Sequence, residues 1–513
     1  MIHSFIDGQD VTGTAGTVVS TNPARLSEVV AEVSLASAEQ LLDAFRAAGA
    51  AQQAWAQTPA PVRGRVIAQV GRLVEANAEA LADLVVREVG KPRAEALGEV
   101  QEIVDTCDFF LGEGRRLYGQ TIPSEMRDKQ LFTFRVPVGV AGIITAGNFP
   151  VAVPSWYLVP ALLCGNAVVW KPADYSAALG DALTQLFVAG GVPAGVLNTV
   201  HADGPTTFEG LALALEAGLV QKVGFTGSSE VGVRIGELCG RHLQNPCLEL
   251  GGKNPLVVMP DADLDLAAEG ALFSGFGTAG QRCTSLGVVV VHEDVADAFL
   301  ERLLSRLDAA VLGDPTQEVL YGPMLSERFL DGFTKWLGEV QPHHTVHGPT
   351  GRITADNPRP GFLGDPDAGV FAHPTVVTGV TADDALYRNE TFGPLVPVTT
   401  FRTFEEAVEL ANGHGYGLSS AIYTASPQTA FRFRERVSAG MLSVNNSTSG
   451  AEAHLPFGGN GKSGNGSRQS GIWVLDQFTR WQSMNWDFAG KLQKAQMDNE
   501  TATPADPEFR LSL

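Results

Sequence analysis

Cysteine is scarce in this chain. Among 513 residues there are five, Cys107, Cys164, Cys239, Cys247 and Cys283, an odd number with no CxxC spacing. That pattern excludes a disulfide framework and a structural zinc site, no metal is expected, and it fits a reducing compartment. Long apolar runs are lacking too: none approaches the ~18–20 residues that cross a bilayer. The start, Met1-Ile2-His3-Ser4-Phe5-Ile6-Asp7, lacks the basic stretch and apolar core of a secretory leader. The expected location is therefore cytoplasmic, with no membrane partner. Basic residues are in deficit: 36 Lys and Arg face 57 Asp and Glu, a net charge of −21 that argues against nucleic acid as a partner. An anionic small molecule remains compatible, because a local Arg or Lys pocket can oppose the overall sign.

What is present describes an ordinary globular protein, 44% hydrophobic and 18% charged, long enough for about three domains. Ser37-Ala-Glu-Gln40 reads as a capping box, followed by the apolar helical face Leu41, Leu42, Phe45 and Ala48. Further Ala/Leu/Val-rich helices are expected across 61–90 and 92–115. Val138 to Ala146, Ala167 to Trp170 and Val223 to Phe225 are short apolar runs ending at Gly147-Asn148-Phe149-Pro150, Lys171-Pro172 and Thr226-Gly227-Ser228. A helical stretch, Leu179 to Ala189, lies between two of them. Strand, turn and helix in repetition predict a doubly wound α/β sheet, whose ligands sit beyond the C-terminal strand ends. Asn148, Lys171 and Gly227 fall at such ends. A second α/β stretch runs from about Gly251 to about residue 450, and a polar extension closes the chain.

Two glycine-flanked stretches carry the chemistry: Glu249-Leu250-Gly251-Gly252-Lys253 and Gly280-Gln281-Arg282-Cys283, with thiol and carboxylate 34 residues apart. Glycine permits close backbone approach to a ligand. A thiol and a carboxylate together suit covalent catalysis, the thiolate attacking a carbonyl and the base then activating water. Gly275-Phe-Gly277-Thr-Ala-Gly280 fits GxGxxG, but it precedes the cysteine and lacks the βαβ context, so it reads as the turn that exposes Cys283.

Assembled in order, these segments resemble the aldehyde dehydrogenase superfamily over almost the whole chain. Gly147-Asn148-Phe149-Pro150 is similar to its oxyanion-hole segment, Trp170-Lys171-Pro172-Ala173-Asp174 to its ribose segment, and Phe225-Thr226-Gly227-Ser228-Ser229-Glu230-Val231-Gly232 to its pyrophosphate turn. Glu390-Thr391-Phe392-Gly393-Pro394 resembles the later cofactor segment, and Pro456-Phe457-Gly458-Gly459 with Ser463-Gly464 the C-terminal substrate side. The resemblance implies a Rossmann-type cofactor domain (1–122 and 142–250), an α/β catalytic domain (251–450), a small β oligomerisation flap with a C-terminal segment (123–141 and 451–490), and a polar tail (491–513).

It also implies roles. Cys283 would attack an aldehyde, with Arg282 a candidate cationic neighbour; Asn148 and the Cys283 backbone N–H would hold the oxyanion; Glu249 would activate the hydrolytic water. Lys171, Asp174, Gly227, Ser228, Gly232, Glu390 and Phe392 would bind NAD or NADP. The carboxylate of Asp174 disfavours a 2′-phosphate and tilts the choice toward NAD. Phe149, Trp156, Thr284 and Phe457 would line the substrate pocket, for a medium-chain or aromatic aldehyde or a semialdehyde. A homodimer or homotetramer is implied. The alternatives are a coenzyme A-acylating semialdehyde dehydrogenase, which Glu249 opposes, and a non-catalytic protein of the same fold. One departure stands out: many relatives carry Trp where this chain has Gly147, which would remove a bulky wall.

Overall fold

Only Leu250, Gly251, Gly252 and Lys253 separate the last strand of one large sheet from a central strand of a second, and the fold is organised around that junction. The structure, a computed structural model, describes residues 1–494 and 505–512. Part of the expected polar tail, 495–504 and 513, thus lies outside the described residues.

The first sheet has seven strands in the order Cys247–Glu249, Lys222–Thr226, Val140–Ile144, Ala167–Lys171, Leu197–Thr199, Ser4–Ile6 and Gln9–Val11. Its first five are parallel and the two N-terminal strands add antiparallel at the edge. The second sheet runs Thr345–His347, Thr375–Thr378, Leu395–Phe401, Leu286–His292, Asn254–Val258, Ser419–Tyr423 and Met441–Val444, parallel except at the Thr345 edge. Central strands read as unbroken apolar runs, such as Val288 to Val291, all fully buried, because helices cover both faces.

The helices follow the expected signals. Ser37 Oγ accepts from Gln40 N–H (3.3 Å) while Gln40 Oε1 accepts from Ser37 N–H (3.0 Å), the reciprocal cap of helix Ala38–Gln57. The region 61–116 divides into Ala60–Ala76, Ala78–Val89 and Arg93–Arg116; Gly90 in the left-handed region (φ 77°) ends the second, and Pro92 precedes the third. Strand Thr479–Asp487 pairs antiparallel with Lys129–Pro137 over nine residue pairs, and Thr121–Ile122 completes this third, smaller sheet. Trp481 and Trp486 on that sheet are exposed. Among the described residues no helix is long and apolar enough to cross a membrane.

Candidate active site

Cys283 sits on a strained turn. Helix Leu264–Phe276 ends, and Thr278 (φ 52°), Ala279 (φ 52°) and Gly280 (φ 68°) follow in the left-handed region. Two successive non-glycine residues there cost free energy that neighbouring structure must offset. At Gly280 a side chain is impossible: a Cβ would lie 2.2 Å from the carbonyl oxygen of Gly393. The nucleophile turn and the Glu390–Pro394 segment are thus pressed backbone to backbone. Asn254, at the junction of the sheets, fixes the next residues by donating through Nδ2 to the carbonyls of Cys283 (2.8 Å) and Ser285 (2.7 Å) while its Oδ1 accepts from Ser419 N–H (2.9 Å). Arg282 does not activate the thiol. Its guanidinium turns away to Glu95 (2.7 Å) and stacks 4.5 Å over the Phe273 ring. Burial, and then the negative charges of Glu249 and Glu390, push the Cys283 thiol up, with the backbone N–H groups of Thr284 and Cys283 opposing.

Asn148 comes to the same place from the first sheet, after strand Val140–Ile144. Its Nδ2 donates to the Gln281 carbonyl (2.9 Å), which locks the amide beside the nucleophile turn. Asn148 and Cys283 share the wall of one cleft of about 540 Å³. Gly227, Ser228, Glu390 and Phe392 line the same cleft. Ser228 caps helix Ser229–Arg241, so the positive end of that helix opens on the cavity. Glu390 Oε1 accepts from Gly252 N–H (3.0 Å), and a Cβ on Gly251 would meet its Oε2 at 2.0 Å, so only glycine admits this approach. Burial pushes the Glu390 carboxyl up to about 7, opposed by Gly252 N–H and Lys253. Burial pushes Lys253 down to about 7, and its Nζ has no hydrogen-bond partner.

Three expected cofactor residues do not line the cleft. Lys171 ends strand Ala167–Lys171 as a buried amine, Asp174 opens the short turn that leads to Tyr175, and Gly232 is a packing position where a Cβ would meet Leu250 at 2.3 Å. In their stead Tyr175, Arg328, Phe329, Phe333 and Trp336 contribute wall. Of these, Arg328 is exposed and lies over the rings of Tyr175 (5.7 Å) and Phe329 (5.3 Å). The wall expected to be missing at Gly147 is supplied by Tyr175. A Cβ at Gly147 would strike the Tyr175 ring at 2.6 Å, and Gly147 N–H donates to the Tyr175 hydroxyl (3.1 Å).

Glu249 ends the last strand of the first sheet and is completely buried. Burial raises its carboxyl well above the ordinary range, and the charge of Arg468 opposes that rise. Its Oε1 has no partner, and its backbone bridges to Gly464. The four residues expected in the substrate pocket are not on the cleft wall. Trp156 and Phe457 are buried and packed together, ring centroids 4.5 Å apart, with Trp156 Nε1 donating to Glu102 (2.9 Å). Phe149 lies under the amine of Lys91 (3.2 Å), itself paired with Glu99 in the interior. The Thr284 carbonyl accepts from Thr448 Oγ1 (2.8 Å).

Away from the cleft, ligand atoms of His343, His344 and Asp384 lie within 4.8 Å of one another. The Gln341 N–H donates to Nδ1 of His344 (2.9 Å), and Nε2 of the same ring faces the Asp384 carboxylate (3.1 Å).

The aldehyde dehydrogenase family matches residues 11–484. The chain is 34% identical over 478 residues to the alpha-ketoglutaric semialdehyde dehydrogenase of Bacillus subtilis (strain 168), covering 93% of this chain and 96% of that protein. It is 34% identical over 499 residues to aldehyde dehydrogenase family 7 member A1 of Malus domestica, covering 96% and 94%. Among solved structures, betaine aldehyde dehydrogenase of Staphylococcus aureus in complex with NAD+ superposes with a TM-score of 0.90 at 28% identity, over 96% of each chain. The chain belongs to the aldehyde dehydrogenase family, NAD(P)-dependent enzymes that oxidise aldehydes to carboxylic acids.

Proposed function

We propose that this enzyme works through Cys283 as nucleophile, Asn148 as oxyanion donor and Glu249 as base. The observation that carries the reading is the meeting of Cys283 and Asn148 on one cleft, with Glu249 near enough for its charge to raise the thiol. Glu249 accepts the proton of the thiol, directly or through water, and the thiolate adds to the aldehyde carbon. The resulting oxyanion lies against an amide hydrogen of Asn148 and the backbone N–H of Cys283; one such donor is worth ~10²–10³ in rate. A nicotinamide held in the cleft beside Glu390 and Phe392 would supply the hydride acceptor that the Cys283 adduct needs on its way to a thioester. Glu249, once it has passed the thiol proton to solvent, removes a proton from water, the hydroxide equivalent attacks the thioester carbonyl, and the Cys283 sulfur leaves as a thiolate that Glu249 reprotonates as the acid is released. Both proton abstractions need the carboxylate form of Glu249, so turnover rises with pH through a midpoint that burial shifts upward from the ordinary carboxylate range.

The cleft fits a dinucleotide. The Ser228-capped helix end and Arg328 suit phosphates, the carboxylate of Glu390 suits ribose hydroxyls, and Phe392 gives apolar cover. Lys171 and Asp174 border the strand end beside Tyr175, and Asp174 favours NAD over NADP by charge. Semialdehydes lead the substrate candidates, since relatives are named for them. A homodimer or homotetramer is supported by the exposed Trp481 and Trp486 of the three-stranded antiparallel sheet, and a cytoplasmic location by five free cysteines. The test follows reduced nicotinamide formation with NAD and NADP across aliphatic, aromatic and semialdehyde substrates, alongside Cys283→Ala. Turnover should fall by about 10⁴ or more in the variant with cofactor affinity retained. Wild-type turnover that survives the substitution would sink the assignment.

A further inference from the structure

Gln469 belongs to none of the segments assigned above, yet it touches the base. Its backbone is doubly tied to Phe457, each N–H donating to the other's carbonyl at 2.7 Å, and the side chain is fully buried. With the amide oriented to satisfy both its ends, Nε2 donates to the Phe457 carbonyl (3.0 Å) and to Glu249 Oε2 (3.0 Å), while Oε1 accepts from the Tyr157 hydroxyl (3.2 Å). The reverse orientation sets an amide oxygen against a carbonyl and a carboxylate, leaving three acceptors facing one another in the interior. The Phe457 carbonyl therefore decides the direction whatever the charge on Glu249. Since Tyr157 donates to Gln469, its oxygen accepts from Thr226 Oγ1 (3.0 Å), and Thr226 lines the cofactor cleft. Donors run one way, from Thr226 through Tyr157 and Gln469 to Glu249.

We propose that Gln469 is a positioning residue for the hydrolytic step: a neutral clamp on one oxygen of Glu249 that leaves the other, Oε1, to take the proton of water, with Tyr157 and Thr226 fixing the clamp's direction. Oε1 is the atom of Glu249 left buried without a partner. The inference rests on Glu249 being the base. A hydrogen bond donated to a carboxylate favours its charged form and so works against the burial of Glu249. The other titratable groups whose charges couple to Glu249 are Cys283, Tyr157 and Cys247, and the cation is Arg468. None of these makes the same contact, so the clamp has no substitute.

The experiment acylates the full-length enzyme with p-nitrophenyl acetate, which loads the thiol without cofactor, and follows decay of the acyl-enzyme by intact mass against pH. Gln469→Met should slow decay at neutral pH by about 10–100-fold, the effect of losing one donor to a charged group, and move the pH midpoint upward. Gln469→Glu should move it further, since two carboxylates would face each other. Tyr157→Phe, nearly isosteric and safe for folding, should give a smaller shift in the same direction. Acylation uses the same carboxylate, so its midpoint should move with that of decay, while its rate above the midpoint stays within about threefold throughout. An unchanged midpoint in both Gln469→Met and Tyr157→Phe, or acylation and decay falling in parallel at pH values above the midpoint, would overturn the clamp. Glu249→Gln separates the two ideas. If it blocks decay while Gln469→Met is silent, only the clamp fails; if it decays normally, the assignment of the base fails.

Discussion

The cofactor cleft and the chamber around Glu249 adjoin Cys283 from different sides and are built on different principles. The cleft is walled by backbone turns at Gly227 and Gly251, a helix end, aromatic rings and the exposed Arg328. Each contact there is separate, and solvent reaches it. The chamber is closed: Glu249 and Gln469 are fully buried, and Tyr157 with them. Each polar atom there depends on its neighbour's orientation, so one change propagates along the network. Substitution in the cleft should therefore subtract from affinity in steps, whereas substitution in the chamber should alter rate and its pH dependence together. Holding a ligand and holding a reactive group place opposite demands on water.

Three variants would break or sharpen this contrast. The largest effect belongs to Asn148→Ala, at the boundary of the two regions: the rate should fall ~10²–10³-fold while cofactor affinity changes less than about twofold. A parallel loss of affinity, read by equilibrium titration, would place Asn148 with the cleft instead. Next, Arg328→Ala should weaken cofactor binding about tenfold, the worth of one charge-assisted contact of ~1.4 kcal/mol, with no change in the turnover rate. Calorimetry with both cofactors reads it, and a loss confined to NADP would put Arg328 on a 2′-phosphate. The smallest is Tyr175→Phe, which removes the bond from Gly147 but keeps the ring: about 1 kcal/mol of stability by denaturant titration, with cofactor affinity nearly unchanged. A collapse of binding would mean the hydroxyl, and not the ring, shapes the wall.

The parts that were legible in the sequence are those written in a few consecutive residues. Glycines around Glu249 and Cys283, and the turn at Thr226-Gly227-Ser228, announce themselves because backbone geometry demands them locally. The strand Val140–Ile144 is shorter at both ends than the apolar run Val138–Ala146 suggests, since ladder pairing stops before the apolar residues do. Partners set by tertiary folding were not legible. Tyr157 and Gln469 are 312 residues apart in the chain, and nothing local marks them as contacts. Arg328 reads as one more polar residue on the exposed face of helix Glu327–Leu337. Gly147 looked like a lost wall because the compensating ring, Tyr175, comes from the next strand's exit. Lys171 and Asp174 were assigned to the cofactor by the resemblance of their segment, and no local signal marked Tyr175, the next residue, as the one that lines the cleft.

The bridge between Glu249 and Gly464 has a consequence for how the enzyme comes into being. The ribosome delivers Glu249 and Cys283 when little more than half of the chain exists, but Phe457, Gly464 and Gln469 arrive near the end, and the strand Thr479–Asp487 that anchors them to Lys129–Pro137 later still. A growing chain therefore carries a thiol and a carboxylate with no lock between them. Completion of translation is what brings Gly464 and Gln469 onto Glu249, and a message cut short by a few dozen codons lacks every contact that this last segment makes with the carboxylate.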